Sequence, residues 1–477
     1  MILGKNQIAR LGAEWMPFAQ ASSAELPMAQ LLRLSLFQIS VGMAQVLLLG
    51  TLNRVMIVEL SVPALIVASM IAIPVLVAPF RALLGHRSDT HVSAIGWKRV
   101  PYLWFGSLWQ MGGLAVMPFA LIVLSGDQYH GPAWAGEVLA ALAFLMAGLG
   151  MHMTQTAGLA LAADRASDET RPRVVALLYV MYLVGMGFSA IVVGWLLRDY
   201  DPLTLVRVVQ GCGLATLVLN VIALWKQEKL SPMTAAERAA PRPSFGAAWA
   251  GLMAEPGVRR LLCVVGFGTL AFNMQDVLLE PYGGQILGLS VGATTLLTAT
   301  WSAGALLGFL ISARQLAQGA DPWRLAAKGV LFGIAAFTAV IFASPMQSAP
   351  LFYAGAALIG LGGGTFGIAT LTAAMTLPCQ TAAGLALGAW GAAQATAAGL
   401  SIFAGGALRD LVDHGVGRGL FGLMHDPALG YSVVYHIEIG LLFLTLVVLG
   451  PLVRLGKIDP NQTERGAAPS GLAEFPT

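Results

Sequence analysis

The residues with the clearest chemistry are a few charges set inside apolar segments. Arg54 and Glu59 end one such segment, and Asp276 and Glu280 lie at i and i+4, on one helical face, in another. A charge at membrane depth is costly and usually has a partner or marks a pathway. We therefore predict an ion pair between Arg54 and Asp276 or Glu280 that closes the outer end of the molecule. Independent snorkelling of these side chains to the lipid headgroups is the alternative.

A polar cluster interrupts a second apolar stretch, residues 148–164. His152, Gln155 and Thr156 are spaced i, i+3 and i+4, which places them near one another on a helix. A neutral imidazole can ligate the magnesium of a chlorin or donate a hydrogen bond to a bound molecule. The alternative is that His152 forms an ordinary hydrogen bond between helices.

No set of catalytic residues is present in the sequence. It contains no P-loop, no H-E-x-x-H motif and no nucleophile elbow, and the glycines between Gly360 and Gly364 lie within an apolar run. Cys212, Cys263 and Cys379 are isolated, so their spacing suggests no zinc site. The net charge of +3 comes without a basic stripe for nucleic acid. We predict no enzymatic activity, no nucleotide cofactor and no protein-bound metal, apart from a chlorin magnesium at His152.

The elements that position these residues are predicted from composition. Hydrophobic residues make up 57% of the 477 residues and charged residues 11%, against roughly 25% charged in soluble domains. Apolar runs long enough to cross a membrane as helices recur along the chain. We predict an all-α polytopic membrane protein with twelve spans. These are residues 31–58, 62–84, 100–124, 133–163, 174–197, 203–225, 258–280, 290–312, 325–344, 350–376, 381–408 and 431–453.

Charge distribution predicts the domain order and the orientation. We expect an interfacial N-terminal segment or a partly ordered tail at 1–30, and six-helix halves at 31–225 and 258–455. A linker at 226–257 and a tail at 456–477 complete the chain. With both termini in the cytoplasm, 22 of the 27 Lys and Arg residues fall in or next to cytoplasmic segments.

The loop after span two carries a transporter-like motif. Gly85 to Asp89, followed by Gly96 to Arg99, resembles the signature between the second and third helices of major facilitator transporters, with extra residues inserted. That resemblance implies a major facilitator-like fold. It also implies that Asp89 latches the two halves by capping a helix terminus in the other half, as a carboxylate can. A solvated loop charge is the alternative.

Four longer segments carry a more specific resemblance. Residues 31–60, 81–110, 151–164 and 273–285 together resemble the bacteriochlorophyll delivery family, the PucC and LhaA proteins of purple phototrophic bacteria. The resemblance extends over nearly the whole chain and includes loops whose sequence hydrophobicity alone would not dictate.

The resemblance implies a function in assembling light-harvesting complexes in the intracytoplasmic, or chromatophore, membrane. The expected clients are bacteriochlorophyll a and the antenna α and β polypeptides, which such a chaperone delivers or holds. We favour the LhaA branch, which serves the LH1 core antenna around the reaction centre, over the branch that serves the peripheral antenna. The reaction centre, bacteriochlorophyll synthase and membrane lipids are further expected partners.

Two other functions stay open at this stage. The chain could be a secondary transporter of an apolar or amphiphilic solute, or a scaffold without a pigment site. Ionisable residues concentrate at helix ends, which leaves an apolar midplane and favours a hydrophobic client. Trp104, Trp109, Trp301 and Trp390 are available to line a pigment groove, although ordinary packing also explains them.

Overall fold

The computed structural model describes residues 23, 26–76, 97, 99–126, 131–132, 134–167, 170–228, 245–255, 257–375, 383–418 and 426–455, and these residues contain helices and no strand. The first half contains α1 (Met28–Glu59), α2 (Ala64–Leu76), α3 (Val100–Leu124), α4 (Ala135–Arg165), α5 (Arg171–Leu196) and α6 (Pro202–Leu224). The remainder contains α7 (Phe245–Ala254), α8 (Val258–Asn273), α9 (Leu279–Gln285), α10 (Val291–Ala317), α11 (Pro322–Ala343), α12 (Ala349–Met375), α13 (Ala383–Gly417) and α14 (Leu429–Leu455).

The helices follow the predicted spans. Within the described ranges, ten helical segments are long and apolar enough to cross a membrane, with α8 and α9 together forming one of them. Helices α2 and α13 stand at the positions of predicted spans two and eleven. The prediction of an all-α polytopic membrane protein is confirmed for the described residues. The short helix α7 lies inside the predicted linker, whose exact limits stay a prediction.

Two helix starts show how the sequence fixes these boundaries. Asp201 precedes Pro202, and its carboxylate accepts hydrogen bonds from the backbone N–H groups of Leu203 and Thr204 at 3.1 Å each. Asp321 precedes Pro322 and accepts from the N–H of Trp323 at 2.9 Å. An aspartate cap satisfies N–H groups that have no partner within the helix, and proline at the first helical position needs none.

Small residues allow close contacts between helices within each half. A Cβ atom at Gly304 of α10 would overlap the carbonyl oxygen of Ala357 on α12, and one at Gly360 of α12 would overlap that of Trp301. Lipid supplies no hydrophobic drive between helices, so their packing depends on such close backbone approach. The glycine run in α12 therefore serves helix packing.

The halves meet along two pairs of helices, α2 with α13 and α5 with α10. A Cβ at Gly406 of α13 would lie 2.7 Å from the carbonyl oxygen of Ala64, and one at Gly194 of α5 would lie 2.9 Å from that of Gly292. All four residues lie toward the predicted outer end. Because Cβ atoms would separate the halves there, glycine permits this closure.

We predict that Gly360→Ala destabilises the protein and that Gly367→Ala does not. The first substitution pushes α12 away from α10 and should lower the free energy of unfolding by about 1–3 kcal/mol. A Cβ at Gly367 meets no atom within 4 Å and should leave stability unchanged or slightly raised. Thermal unfolding of both variants in detergent checks this, and equal melting temperatures would contradict it.

Candidate functional site

The first and seventh predicted spans both depart from regular α-helix where they approach each other. In α1 the backbone is π-helical over Val46–Thr51 and Val55–Glu59. The seventh span breaks after α8 into a 3-10 turn at Met274–Val277 before α9 begins. Such departures are frequent at functional sites, and discontinuous helices line the central sites of many transporters. The two spans occupy equivalent positions in the two halves.

Direct hydrogen bonds hold these irregular segments together. Asn53, fully buried in α1, donates to the carbonyl oxygens of Leu49 and Val277, each at 2.9 Å. The hydroxyl groups of Thr51 and Thr295 lie 3.1 Å apart. These contacts join α1 to the broken helix and to α10, so they close the outer end between the halves.

Arg54 is buried in this contact with 4% of its surface exposed, and its ion-pair partner is Glu59. Its guanidinium also donates to the carbonyl oxygen of Leu289 at 3.2 Å and lies beside Gly284 of α9. The predicted pair with Asp276 or Glu280 is not the one formed in this structure. Two residues five positions apart lie on different sides of an α-helix but on similar sides of a π-helix. The π-helical backbone therefore brings Glu59 to Arg54.

The loop between α5 and α6 contributes Tyr200 near this ion pair. Burial raises the pKa of Tyr200, and the Glu59 carboxylate raises it further, while Arg54 lowers it. The phenol therefore stays neutral at physiological pH and adds no charge to the outer end.

Asp276 and Glu280 face a small cavity, which we call the acidic chamber. Asp276 accepts hydrogen bonds from Asn273, at 2.7 Å, and from Gln275. Glu280 is 4% exposed, and its Oε1 accepts from the hydroxyl of Thr298 at 2.6 Å. The chamber has a volume of about 180 Å³. Its lining residues are Gln45, Leu49, Gly50, Tyr182, Met186, Asn273, Gln275, Asp276, Leu279, Glu280, Thr298 and Trp301.

A second, larger cavity adjoins the acidic chamber and is mainly apolar. This apolar chamber has a volume of about 280 Å³ and shares Tyr182, Asn273 and Trp301 with the acidic chamber. Its aromatic lining consists of Tyr179, Tyr182, Phe272, Trp301, Phe309, Phe366 and Trp390. Residues of both halves contribute, so the two chambers form one amphipathic cavity between the halves.

The four tryptophans considered above divide between two environments. Trp301 and Trp390 line the apolar chamber, whereas Trp104 and Trp109 are 38% and 46% exposed on the outer face of α3. Sequence alone could not separate these two pairs, because both lie in apolar helices.

The predicted pigment contacts lie elsewhere. His152, Gln155 and Thr156 are in α4 and are not among the lining residues of either chamber. The Thr156 hydroxyl donates to the carbonyl oxygen of His152 at 2.8 Å. Gly148, one turn before His152, packs against Pro74 of α2. Their role in pigment binding stays a prediction. Asp89 lies outside the described residues, so its latching role also stays a prediction.

Two carboxylates that contact distant helices were missed by sequence reasoning. Glu438, in the first half of α14, is fully buried and accepts a 2.7 Å hydrogen bond from the backbone N–H of Gln275 at the helix break. Asp410 of α13 accepts one from the N–H of Leu65 at the start of α2, also at 2.7 Å. Glu438 is a buried acid inside a span, which the expectation of a mainly apolar midplane did not include. A lone carboxylate inside an apolar span was the signal that could have identified it.

We predict that Glu438→Leu is less stable than Glu438→Gln. Both substitutions remove the buried charge, but only leucine removes the acceptor of the Gln275 N–H, which should then cost about 1–3 kcal/mol. The difference in unfolding free energy between the two variants, measured by denaturant titration in detergent, isolates this hydrogen bond. Identical stabilities would show that the bond does not hold the helix break.

Comparison with solved structures agrees with this architecture. A bacterial homologue of the human lysosomal transporter Spinster, in an inward-facing and occupied conformation, superposes with a TM-score of 0.65 at 13% identity. The match covers 89% of this chain and 96% of that chain. This likeness confirms the predicted fold, which is that of a polytopic helical membrane protein with a major facilitator-like arrangement.

Sequence comparison then identifies the family. The family model described as PUCC protein matches residues 51–456, and Protein PucC of Rhodovulum sulfidophilum is 53% identical over 85% of this chain and 90% of its own length. The chain belongs to the PucC family.

Two further relatives come from Rhodobacter capsulatus. A protein named for the puhA-bchM intergenic region is 70% identical over the full length of both chains. A protein named bacteriochlorophyll synthase 44.5 kDa chain is 28% identical over 80% of this chain and 88% of its own.

Proposed function

We propose that this protein is a non-enzymatic assembly factor for light-harvesting complexes of purple phototrophic bacteria. In this proposal it delivers bacteriochlorophyll a to the antenna α and β polypeptides, holds those polypeptides, or does both. Membership of the PucC family supports a role in light-harvesting complex assembly. Similarity to the protein named a bacteriochlorophyll synthase chain supports a link to bacteriochlorophyll. The proposed client is the LH1 core antenna, with the reaction centre and bacteriochlorophyll synthase as further partners.

The apolar chamber is the observation that best supports a role in pigment handling. Bacteriochlorophyll combines a large magnesium-bearing ring with a hydrocarbon tail and is nearly insoluble in water, so its transfer needs an apolar route inside the bilayer. A chamber of about 280 Å³ lies just below the range usual for drug-sized ligands and suits part of the pigment, such as its tail. Aromatic walls add favourable dispersion contacts with such a chain.

The magnesium would then need a ligand near the chamber or on the surface of the bundle. His152 remains our proposed ligand, with Gln155 and Thr156 as neighbouring pigment contacts. Imidazole suits this role because a neutral ring nitrogen donates its lone pair to the metal.

A secondary transporter for an apolar or amphiphilic solute is the second candidate function. The observation in its favour is the position of the cavity between the two halves of a transporter-type fold, where such proteins bind their substrates. A scaffold that holds antenna polypeptides without pigment is the third.

We predict that filling the apolar chamber reduces bound pigment. Gly367 lines this chamber, and a Cβ there meets no protein atom within 4 Å, so Gly367→Leu projects into the cavity. Pigment recovered with the purified protein from a phototrophic host should fall about tenfold, equivalent to about 1.4 kcal/mol of binding energy. Absorption spectra and pigment extraction measure this loss. Gly440→Leu, on the exposed face of α14, is the control of equal bulk and should bind normally.

Mass spectrometry of co-purifying polypeptides separates the three functions. Near-stoichiometric bacteriochlorophyll with antenna subunits would support delivery, and loss of the pigment in His152→Ala would support the proposed ligand. A colourless protein that still captures antenna subunits would favour the scaffold. Neither pigment nor subunits would contradict the assembly role and favour the transporter.

We further propose that both termini face the cytoplasm, in the inner or intracytoplasmic membrane. The excess of Lys and Arg in the corresponding segments supports this orientation. A C-terminal fusion to a fluorescent protein that matures only in the cytoplasm should be bright, and a fusion to periplasmic alkaline phosphatase should be inactive. The reverse pattern would overturn the orientation.

A further inference from the structure

The acidic chamber presents oxygen atoms that have no partner among the described residues. Glu280 Oε2 and Gln275 Oε1 are buried hydrogen-bond acceptors to which no described group donates, and their residues are only 4% and 2% exposed. Buried polar atoms are nearly always satisfied, and leaving one unsatisfied costs about 1–3 kcal/mol. Both residues line the same cavity of about 180 Å³. The missing partner is therefore a hydrogen-bond donor or a cation that fits this space.

The surrounding charges favour a cation. Asp276 and Glu280 both line the chamber, and Glu438 lies within electrostatic range of Asp276. The nearest guanidinium, that of Arg54, lies one turn beyond Glu280 beside Gly284 and is paired with Glu59. Among the described residues, no cationic side chain forms an ion pair with the carboxyl group of Asp276 or Glu280. Buried charge of one sign is costly unless a counter-ion or a proton compensates it.

The backbone beside the acidic chamber also favours a cation. Helix α8 ends at Asn273, and the 3-10 turn Met274–Val277 separates it from α9. The carboxyl end of a helix carries partial negative charge, and such ends at broken helices coordinate Na⁺ or H⁺ in transporters. Among the described residues, no group of three His, Cys, Asp or Glu side chains gathers around a point as a multivalent metal would require. The arrangement is suited to a single positive charge.

We propose that the acidic chamber binds a small monovalent cation, either an alkali metal ion or a hydronium ion, through Glu280, Asp276 and Gln275. The cation supplies the positive charge that Arg54 does not supply, because Arg54 is paired with Glu59. Because the chamber adjoins the apolar chamber through Tyr182, Asn273 and Trp301, occupation by a cation also sets the polarity at one end of the proposed client cavity. The inference does not depend on the client's being a pigment.

The test is thermal stability of the full-length protein in lipid nanodiscs. Sodium, lithium or potassium chloride replaces N-methylglucamine chloride at constant ionic strength, since the large organic cation cannot enter the chamber. A bound alkali ion should raise the wild-type Tm saturably, by about 2 °C or more. Glu280→Gln should abolish the rise, and Gln275→Met should reduce it without changing the charge. Glu137→Gln, in the first turn of α4 and outside the chamber, is the control and should respond like wild type.

A second series distinguishes hydronium from an alkali ion. With N-methylglucamine as the only cation, the Tm of wild type and of Glu280→Gln is followed from mildly basic to mildly acidic pH. Among the described residues, the titratable and charged groups near Glu280 are Arg54 on α1, Tyr182 on α5, Asp276 at the helix break and Tyr353 on α12. Behind them, Glu59 is paired with Arg54, and Glu438 on α14 lies within electrostatic range of Asp276. These groups are present in both proteins, so the difference between the Tm of wild type and that of Glu280→Gln at each pH reports Glu280.

Three outcomes are possible. An alkali-dependent rise that Glu280→Gln abolishes identifies an alkali ion. No alkali effect, together with stabilisation at acidic pH in wild type that the variant lacks, identifies a bound proton, held on Glu280 itself or as hydronium beside it. If wild type and Glu280→Gln respond alike in both series, the chamber binds no cation and the proposal is wrong. The pigment assay above is independent, so its failure would leave this result standing.

Discussion

The hydrocarbon layer offers no hydrogen-bond partner to a peptide group, and this constraint governs the whole structure. A regular helix satisfies its own backbone, so apolar helices can face lipid. Irregular backbone is tolerated only where the protein supplies the missing partners. The break between α8 and α9 is such a place, because Glu438 accepts from the Gln275 N–H and Asn53 donates to the Val277 carbonyl oxygen. The cavity lies beside these irregular helical segments, in the region that the two halves enclose.

Close approach of backbones determines which end of this cavity is shut. Gly194 and Gly406 allow the halves to touch toward the outer end, and Asp410 caps α2 from the opposite half. Asp410 thus uses, at the predicted outer end, the same chemistry that is expected of Asp89, a carboxylate on a helix terminus, and the role of Asp89 itself stays a prediction. With Arg54 and Glu59 paired beside these contacts, the outer end is held by packing and charge together.

The cavity combines two environments that suit different parts of an amphiphile. Aromatic residues surround one chamber, while Asp276 and Glu280 face the other. This arrangement suits the client proposed above, a pigment that carries polar groups on its ring and a long hydrocarbon tail. The irregular helices and buried acids stand between the two halves, which is where many transporters bind substrates and coupling ions. An assembly factor built on a transporter fold would use the same cavity without moving its client across the membrane.

The sequence by itself determined the fold class and the family. Apolar runs of membrane length predict helices because lipid allows little else, and Asp201 and Asp321 mark helix starts through local capping chemistry. It also identified Arg54, Asp276 and Glu280 as unusual charges. Only the tertiary structure decided their partners. Three features depend on how the helices pack against one another. They are the π-helical turn that brings Glu59 to Arg54, the hydrogen bond of Glu438 to a distant helix break, and the aromatic chamber. Periodicity and composition report local preference, whereas such contacts arise from how helices pack.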